Sequence, residues 1–289
     1  MQAFLTPDRF GHYIRLIRAD KPIGSLLLMW PMLWVLWLIS EGRPDIAVLT
    51  VFLVGTFLMR SAGCAINDYA DRHIDGSVER SRQRPIVSGA ISPREAVVVA
   101  AVLALCAFLL VLTMNQLTIA LSFIGVLLAA VYPFSKRVTY WPQLVLGLAF
   151  GWAVPMVCAA QTGRIDIIGW IIYAAAILWA LAYDTMYAMV DRDDDLKLGV
   201  KSTAVWLGKR DVPIVAATLA AVLAILALVG YRYHLGTAYA VGWLAAVMVV
   251  AYQLWLIKDR DPGQCFKAFQ MSNYMGLGVF AGLFVDKLV

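Results

Sequence analysis

Asn67, Asp68, Asp71 and Asp75 are the residues around which chemistry is most readily drawn, in the stretch Asn67-Asp68-Tyr69-Ala70-Asp71-Arg72-His73-Ile74-Asp75-Gly76. On a continued helix the three carboxylates fall at i, i+3 and i+7, on one face, with Asn67 bordering it. Like charges at that spacing repel, and more strongly where water is scarce. A row of this kind calls for a cation. A second acidic group follows at Asp184, Asp191, Asp193, Asp194 and Asp195. Continued as one helix, Asp184, Asp191 and Asp195 share a face, while Asp193 and Asp194 point to solvent. Asp71 and Asp75 recur as Asp191 and Asp195 at the same spacing.

Carboxylates without His or Cys partners suit a hard cation such as Mg2+, which keeps waters and bridges a few carboxylates to substrate phosphates. Asp68, Asp71, Asp75, Asp191 and Asp195 are the candidate metal ligands. Arg72, Lys136, Arg137, Lys197 and Lys201 lie beside the two groups and can meet a phosphate's remaining charge. Two acidic groups facing a diphosphate form a Lewis-acid device for removing a diphosphate leaving group. Tyr132, Phe134, Tyr140, Tyr183 and Tyr187 cluster near the same ends of their apolar runs, where aromatics are enriched in any membrane protein. Tyr187 is the best placed, three residues after Asp184 and four before Asp191, to set an aromatic face against a developing allylic cation.

The elements that must position these residues are apolar. The chain has 289 residues, 62% hydrophobic and 15% charged, with mean hydropathy +0.76. A soluble domain carries roughly 25% charged residues, so the fold class is all-α and polytopic. About nine transmembrane helices are expected around a central cavity, near 23–40, 46–66, 94–113, 117–134, 141–160, 165–184, 212–231, 237–257 and 268–286. They form a single domain over 1–289, preceded by a basic amphipathic segment within 1–22 that lies on the membrane surface.

Most of the 24 Lys and Arg fall in the segments 1–22, 67–93, 135–140, 185–211 and 258–267, against Arg43, Arg164, Arg232 and Lys287 on the other side. This bias makes the acidic loops and the N-terminus cytoplasmic and the C-terminus external. The net charge of +5 therefore reports orientation and not nucleic-acid binding. The four cysteines lack metal-ligand spacing and are expected to be reduced packing residues. The first apolar run is span-length, with no cleavage pattern behind it. Loop 76–93, with Gly76, Gly89, Arg80, Arg82 and Arg84, is either a lid over the site or an ordinary exposed loop.

The motif Asn67-Asp68-x-x-Asp71-x-x-x-Asp75 resembles the NDxxDxxxD signature of the UbiA-type intramembrane aromatic prenyltransferases, and Asp191-Arg192-Asp193-Asp194-Asp195 resembles their second DxxxD motif. Asp20-Lys21-Pro22-Ile23-Gly24, the run 62–75, Arg84-Pro85, Tyr132-Pro133-Phe134 and parts of 183–203 extend the resemblance over essentially the whole chain, toward bacterial members that act on 4-hydroxybenzoate. The resemblance implies a nine-helix fold with a cavity open to lipid. It implies Mg2+-dependent transfer of a polyprenyl group, often octaprenyl, from polyprenyl diphosphate to the ring carbon meta to the carboxylate of 4-hydroxybenzoate. Diphosphate is released, in an early step of ubiquinone synthesis at a bacterial inner membrane. It carries metal and diphosphate roles to Asn67, Asp71 and Asp75 and to Asp191 and Asp195, with Asp68 inside the signature. Asp71, Asp75, Asp191 and Asp195 become the catalytic set; Asn67, Asp68, Arg72, Arg137, Asp184, Tyr187, Lys197 and Lys201 become substrate-binding candidates. Arg137 matches a basic family position that reads either the acceptor carboxylate or the diphosphate. An ion-coupled transporter is the alternative from another class. Such sites sit near the bilayer midplane, whereas these carboxylates stand at the membrane edge. A prenyltransferase with a haem, chlorophyll or naphthoate precursor as acceptor is the third reading.

Overall fold

A computed structural model of the chain describes residues 7–72, 76 and 82–289. Among these residues the regular structure is helical throughout. In chain order the helices are α1 (Pro7–Leu16), α2 (Ile23–Ile39), α3 (Ile46–Asp71), α4 (Pro93–Val111), α5 (Gln116–Val138), α6 (Pro142–Gly151), α7 (Ala153–Thr162), α8 (Ile167–Val190), α9 (Arg192–Leu198), α10 (Thr203–Leu207), α11 (Asp211–Arg232), α12 (Thr237–Ile257) and α13 (Pro262–Asp286).

Among the described residues seven passes are long and apolar enough to cross a membrane: α3, α4, α5, α6 with α7, α8, α10 running into α11, and α12. The first and ninth expected spans are helices too. α2 is apolar but only 17 residues long, and α13 has 25 residues but carries Gln264, Lys267, Gln270 and Asn273 in its first half. Polar side chains mark the helix starts. Asp45, Asn115 and Asp261 accept from backbone N–H groups of the first turns of α3, α5 and α13, and Ser92 forms a capping box with Glu95 at α4.

Several helices outrun their apolar stretches, because adding one more turn in water is inexpensive once a helix is nucleated. α3 continues past 66 to Asp71, α8 past 184 to Val190, and α5 past 134 to Val138, which puts Lys136 and Arg137 on a helical turn instead of a loop. The expected single span at 141–160 is broken at Trp152, since Pro155 has no N–H to offer the carbonyl of residue 151. The second acidic group is not one helix. α8 stops at Val190, Asp191 caps it at φ −98° and ψ 7°, and α9 begins at Arg192. Asp193, Asp194 and Asp195 would oppose the dipole at the C-terminus of α8, and a new helix turns them into first-turn residues, where the dipole favours them.

α8 is enclosed on most sides. Trp179, Tyr183 and Met186 are buried, and Trp179 lies 5.3 Å from Trp34 of α2 between ring centroids. Gly276 of α13 packs so closely on Trp30 and Trp179 that a Cβ there would lie 2.3 Å from the Trp30 ring. α12 and α13 meet through Gly242, Gly278 and Gly282; a Cβ on Gly242 would lie 2.4 Å from the Gly278 carbonyl oxygen, the small-residue approach typical of membrane helices. α4 instead presents Val98, Val102, Leu105 and Leu109 outward, a face suited to lipid. α1 buries Leu16 against Ala62 and Ala65 of α3 and Ile86, Ile91 and Ala96, while Phe10 stays exposed. The surface segment is thus docked onto the bundle, helped by Arg9 and Tyr13, which both donate to Glu95 of α4.

Candidate functional site

One face of α3 supplies the spine of the site. Phe52, Gly55, Thr56, Met59, Arg60, Gly63, Cys64, Asn67 and Asp68 line a cavity of about 800 Å3. Their spacing is the three-and-four alternation of one helix face, extending about 24 Å along the axis at ~1.5 Å per residue. The deeper lining is apolar, with Val51, Phe52, Phe108, Val111, Val126, Trp152 and Met156. The mouth is charged, with Arg18, Asp20, Lys21, Asn67, Asp68, Arg84 and Asp184. From the opposite wall α8 offers Tyr183, Asp184, Tyr187 and Val190, and α13 offers Phe266 and Phe269. Tyr187 packs on Phe269 with ring centroids 4.7 Å apart.

The first acidic row divides between two kinds of partner. Asp68, 1% exposed, accepts from Arg18 Nη2 at 2.8 Å and lies 3.2 Å from Arg84 Nη1. Burial works against the charge on Arg18, but Asp68, with Cys64 and Tyr187, outweighs it and holds the guanidinium protonated well above its ordinary range. Asp71 is also buried. Its Oδ2 accepts from Lys136 Nζ and from Asn67 Nδ2, the latter at 3.1 Å. Its Oδ1 is buried with no hydrogen-bond partner, as is Oδ2 of Asp68. Asp75 lies outside the described residues, as do residues 77–81 of the expected lid. Elsewhere in that loop Ile86 and Ile91 are buried, and Gln83, Arg84 and Pro85 line the cavity.

Lys136 links the two acidic groups. It pairs with Asp71, and its charge also acts on Asp195. Burial pushes the Asp195 carboxyl up to about 6; Ser202 pulls it back by hydrogen bonding, Asp191 raises it and Lys136 lowers it. Tyr132 lines the cavity together with Arg60, Asp184 and Tyr187. Asp195 N–H donates to the Asp191 carbonyl at 2.8 Å, which sets the first turn of α9.

Other candidates stand away from the cavity lining. Arg72 donates to the Tyr69 carbonyl at 2.7 Å and lies over the Tyr69 ring. Arg137 donates to the Ala70 carbonyl at 2.5 Å, near the end of α3, and lies over Phe134. Lys197 is exposed beside Asp194, and Lys201 donates to the Val138 carbonyl at 3.2 Å. Phe134 and Tyr140 are exposed.

Three basic residues enter the site without having been assigned a part in it. Arg18 comes from the turn after α1 and Arg84 from the loop before α4; only packing brings them to Asp68. Arg60 carries a sequence signal, as a lone charge inside an apolar span, which is a functional candidate by default. It lines the cavity, donates to Cys64 Sγ, lies 5.5 Å from the Phe150 ring centroid, and its buried Nε has no hydrogen-bond partner.

Among the described residues no three Asp, Glu, His or Cys side chains converge on one metal-sized point. The donor set still fits Mg2+, which is commonly held by one or two carboxylates together with substrate oxygens and water. The unpartnered Oδ1 of Asp71 and Oδ2 of Asp68, both buried, are atoms that such an ion would satisfy.

A helical membrane bundle whose cavity is apolar within, and ringed by carboxylates and guanidinium groups at its mouth, defines an integral-membrane enzyme for lipid substrates with anionic heads. The chain belongs to the UbiA prenyltransferase family, whose profile matches residues 28–275. It is 57% identical to a 4-hydroxybenzoate octaprenyltransferase of Methylococcus capsulatus, over 97% of this chain and 96% of that protein. It is 54% identical to one of Vibrio cholerae, over 98% and 99%. Among solved structures, an apo UbiA homologue from Aeropyrum pernix superposes with a TM-score of 0.81 at 27% identity, covering 91% of this chain and 98% of that one. A UbiA homologue from Archaeoglobus fulgidus bound to GPP and Mg2+ gives 0.70 at 19% identity, over 96% and 100%, and shares the fold. Membership of this family decides for the enzyme over the transporter.

Proposed function

We propose that the protein transfers an octaprenyl group from its diphosphate to the ring carbon meta to the carboxylate of 4-hydroxybenzoate, releasing diphosphate, for ubiquinone synthesis. The names of the relatives give octaprenyl transfer to 4-hydroxybenzoate. What supports the reading here is one apolar cavity whose charged end is lined by Asn67 and Asp68 from α3 and by Asp184 from α8, with Lys136 paired with Asp71 and its charge acting on Asp195.

The apolar face of α3 takes the prenyl chain. Arg18, Arg84 and Lys136 meet the diphosphate, whose charge they offset. Asp71, Asp75, Asp191 and Asp195 would hold Mg2+, which would supply positive charge to the departing diphosphate. As the allylic C–O bond breaks, Tyr132, Tyr183 and Tyr187 face the carbocation. The tight bundle keeps water from it. Arg60, with its unpartnered Nε, holds the acceptor carboxylate, and Asp184 polarises the phenol, whose ring carbon bonds to the prenyl cation and then loses its proton to the released diphosphate. The site opens to the cytoplasm of a bacterial inner membrane, with the N-terminus inside and the C-terminus in the periplasm. An Arg43→Cys variant should react with an impermeant maleimide in intact cells, and a Lys209→Cys variant only after lysis; the reverse pattern contradicts this orientation.

Membranes containing the protein, given octaprenyl diphosphate and 4-hydroxybenzoate, should yield the meta-prenylated acid with Mg2+ and none with EDTA. Absence of product from any polyprenyl diphosphate would contradict the reading.

A further inference from the structure

Outside the cavity, the most deeply buried acid is Asp211, the first residue of α11 and 0% exposed. Two guanidinium groups from distant parts of the chain close on it. Arg192 Nη2 donates to Oδ2. Arg260 approaches from the α12–α13 loop, with Nε 3.0 Å and Nη2 2.8 Å from Oδ1. Arg260 Nη2 also donates to the Lys209 carbonyl at 2.8 Å. Arg260 holds this place with φ +60°, a left-handed conformation that a side chain bearing a Cβ adopts rarely.

A buried ion triad is a poor source of stability, because desolvation offsets most of the attraction, and apolar side chains serve as well. Its particular property is fixed geometry, since planar guanidinium groups bind a carboxylate in few orientations. What is fixed here is informative. Arg192 directly follows Asp191, the residue at which α8 ends and α9 begins, so its grip sets how the chain turns there. Arg260 directly precedes Asp261, which caps α13, and the next residues, Pro262, Gly263 and Phe266, form a wall of the cavity. A single carboxylate thus anchors both the second acidic motif and the wall beside Tyr187.

We propose that Asp211 is a positioning residue for prenyl transfer, clamping Asp191 through Arg192 and the wall at 262–266 through Arg260. The first half rests on the reading of Asp191 and Asp195 as cation ligands. Residues that orient metal ligands typically affect metal affinity about 10–100-fold.

The test uses Mn2+ as probe, titrated into detergent-purified full-length protein, with free Mn2+ followed by electron paramagnetic resonance. Asp211→Asn and Arg192→Gln should each weaken Mn2+ binding by about tenfold or more. Arg260→Gln should leave Mn2+ binding unchanged and raise KM for the prenyl donor. Arg192→Gln keeps the Asp211–Arg260 pair, so its result stands even if Asp211→Asn does not fold; melting curves establish which variants are folded. A folded Arg192→Gln protein that binds Mn2+ as tightly as the wild type overturns the proposal. A wild-type protein that binds no Mn2+ overturns the cation reading beneath it, a distinguishable result. A donor KM unchanged in Arg260→Gln overturns the second half.

Discussion

Asp68 and Asp71 stand less than one helical turn apart on α3 and keep different company. Asp68 is engaged at Oδ1 by two guanidinium groups, Arg18 and Arg84, whereas Asp71 is engaged at Oδ2 by Lys136 and Asn67, and each keeps its other oxygen buried and unpartnered. A carboxylate that faces two arginines is suited to presenting them to a diphosphate, and the second oxygen of each leaves both Asp68 and Asp71 able to ligate a cation. Arg60 has a different task. A hydrogen bond from a charged group is worth about 1.5–3 kcal/mol, or roughly a 10–100-fold change in an equilibrium. Arg60→Gln should therefore raise KM for 4-hydroxybenzoate by about that factor and leave the Mg2+ requirement unaltered in steady-state assays. An unchanged acceptor KM would remove Arg60 from the acceptor site. Arg60 was visible in the sequence as a charge among apolar residues. Arg18 and Arg84 were visible only as basic residues near the membrane surface, because their meeting at Asp68 depends on how α1 and the loop before α4 dock against α3.

At the scale of elements, α3 is legible from its sequence: its apolar run and the start of its acidic row share one helical period, and the structure carries the run with Asn67, Asp68 and Asp71 on one helix. α8 and α9 are not. Spacing alone places Asp184, Asp191 and Asp195 on a single face, but the concentration of carboxylates at 191–195 favours a fresh helix N-terminus, and the chain breaks there. That break leaves Asp195 buried enough to lift its carboxyl from 3.8 to about 6. The folded value lies above the unfolded one. The stabilisation from protonated Asp195 is thus complete below about pH 4 and is lost as pH rises through about 6. A cation that binds the ionised form restores what is lost. The rise in melting temperature caused by Mg2+ should therefore be larger at pH 7 than at pH 5. An equal rise at both values would mean that Asp195 takes no part in holding the ion.

For the whole molecule, the helical membrane fold and seven of the nine expected spans could be read from hydropathy. The cavity could not, because it depends on which helix faces are left unpacked. α8, α2 and α13 close tightly through Trp30, Trp34, Trp179 and Gly276, while α3 keeps one entire face open from Phe52 to Asp68. An insoluble chain can lie along that face with its anionic head between the acidic motifs. The central claim is that these motifs, one on α3 and the other at the α8–α9 junction, form a single site. The most direct test is octaprenyl transfer to 4-hydroxybenzoate by folded Asp71→Asn and Asp191→Asn proteins at saturating Mg2+. Loss of an electrostatic group at the reacting centre costs about 100–1,000-fold in turnover, and each variant is predicted to lose at least that much. Undiminished product from either variant would contradict the account.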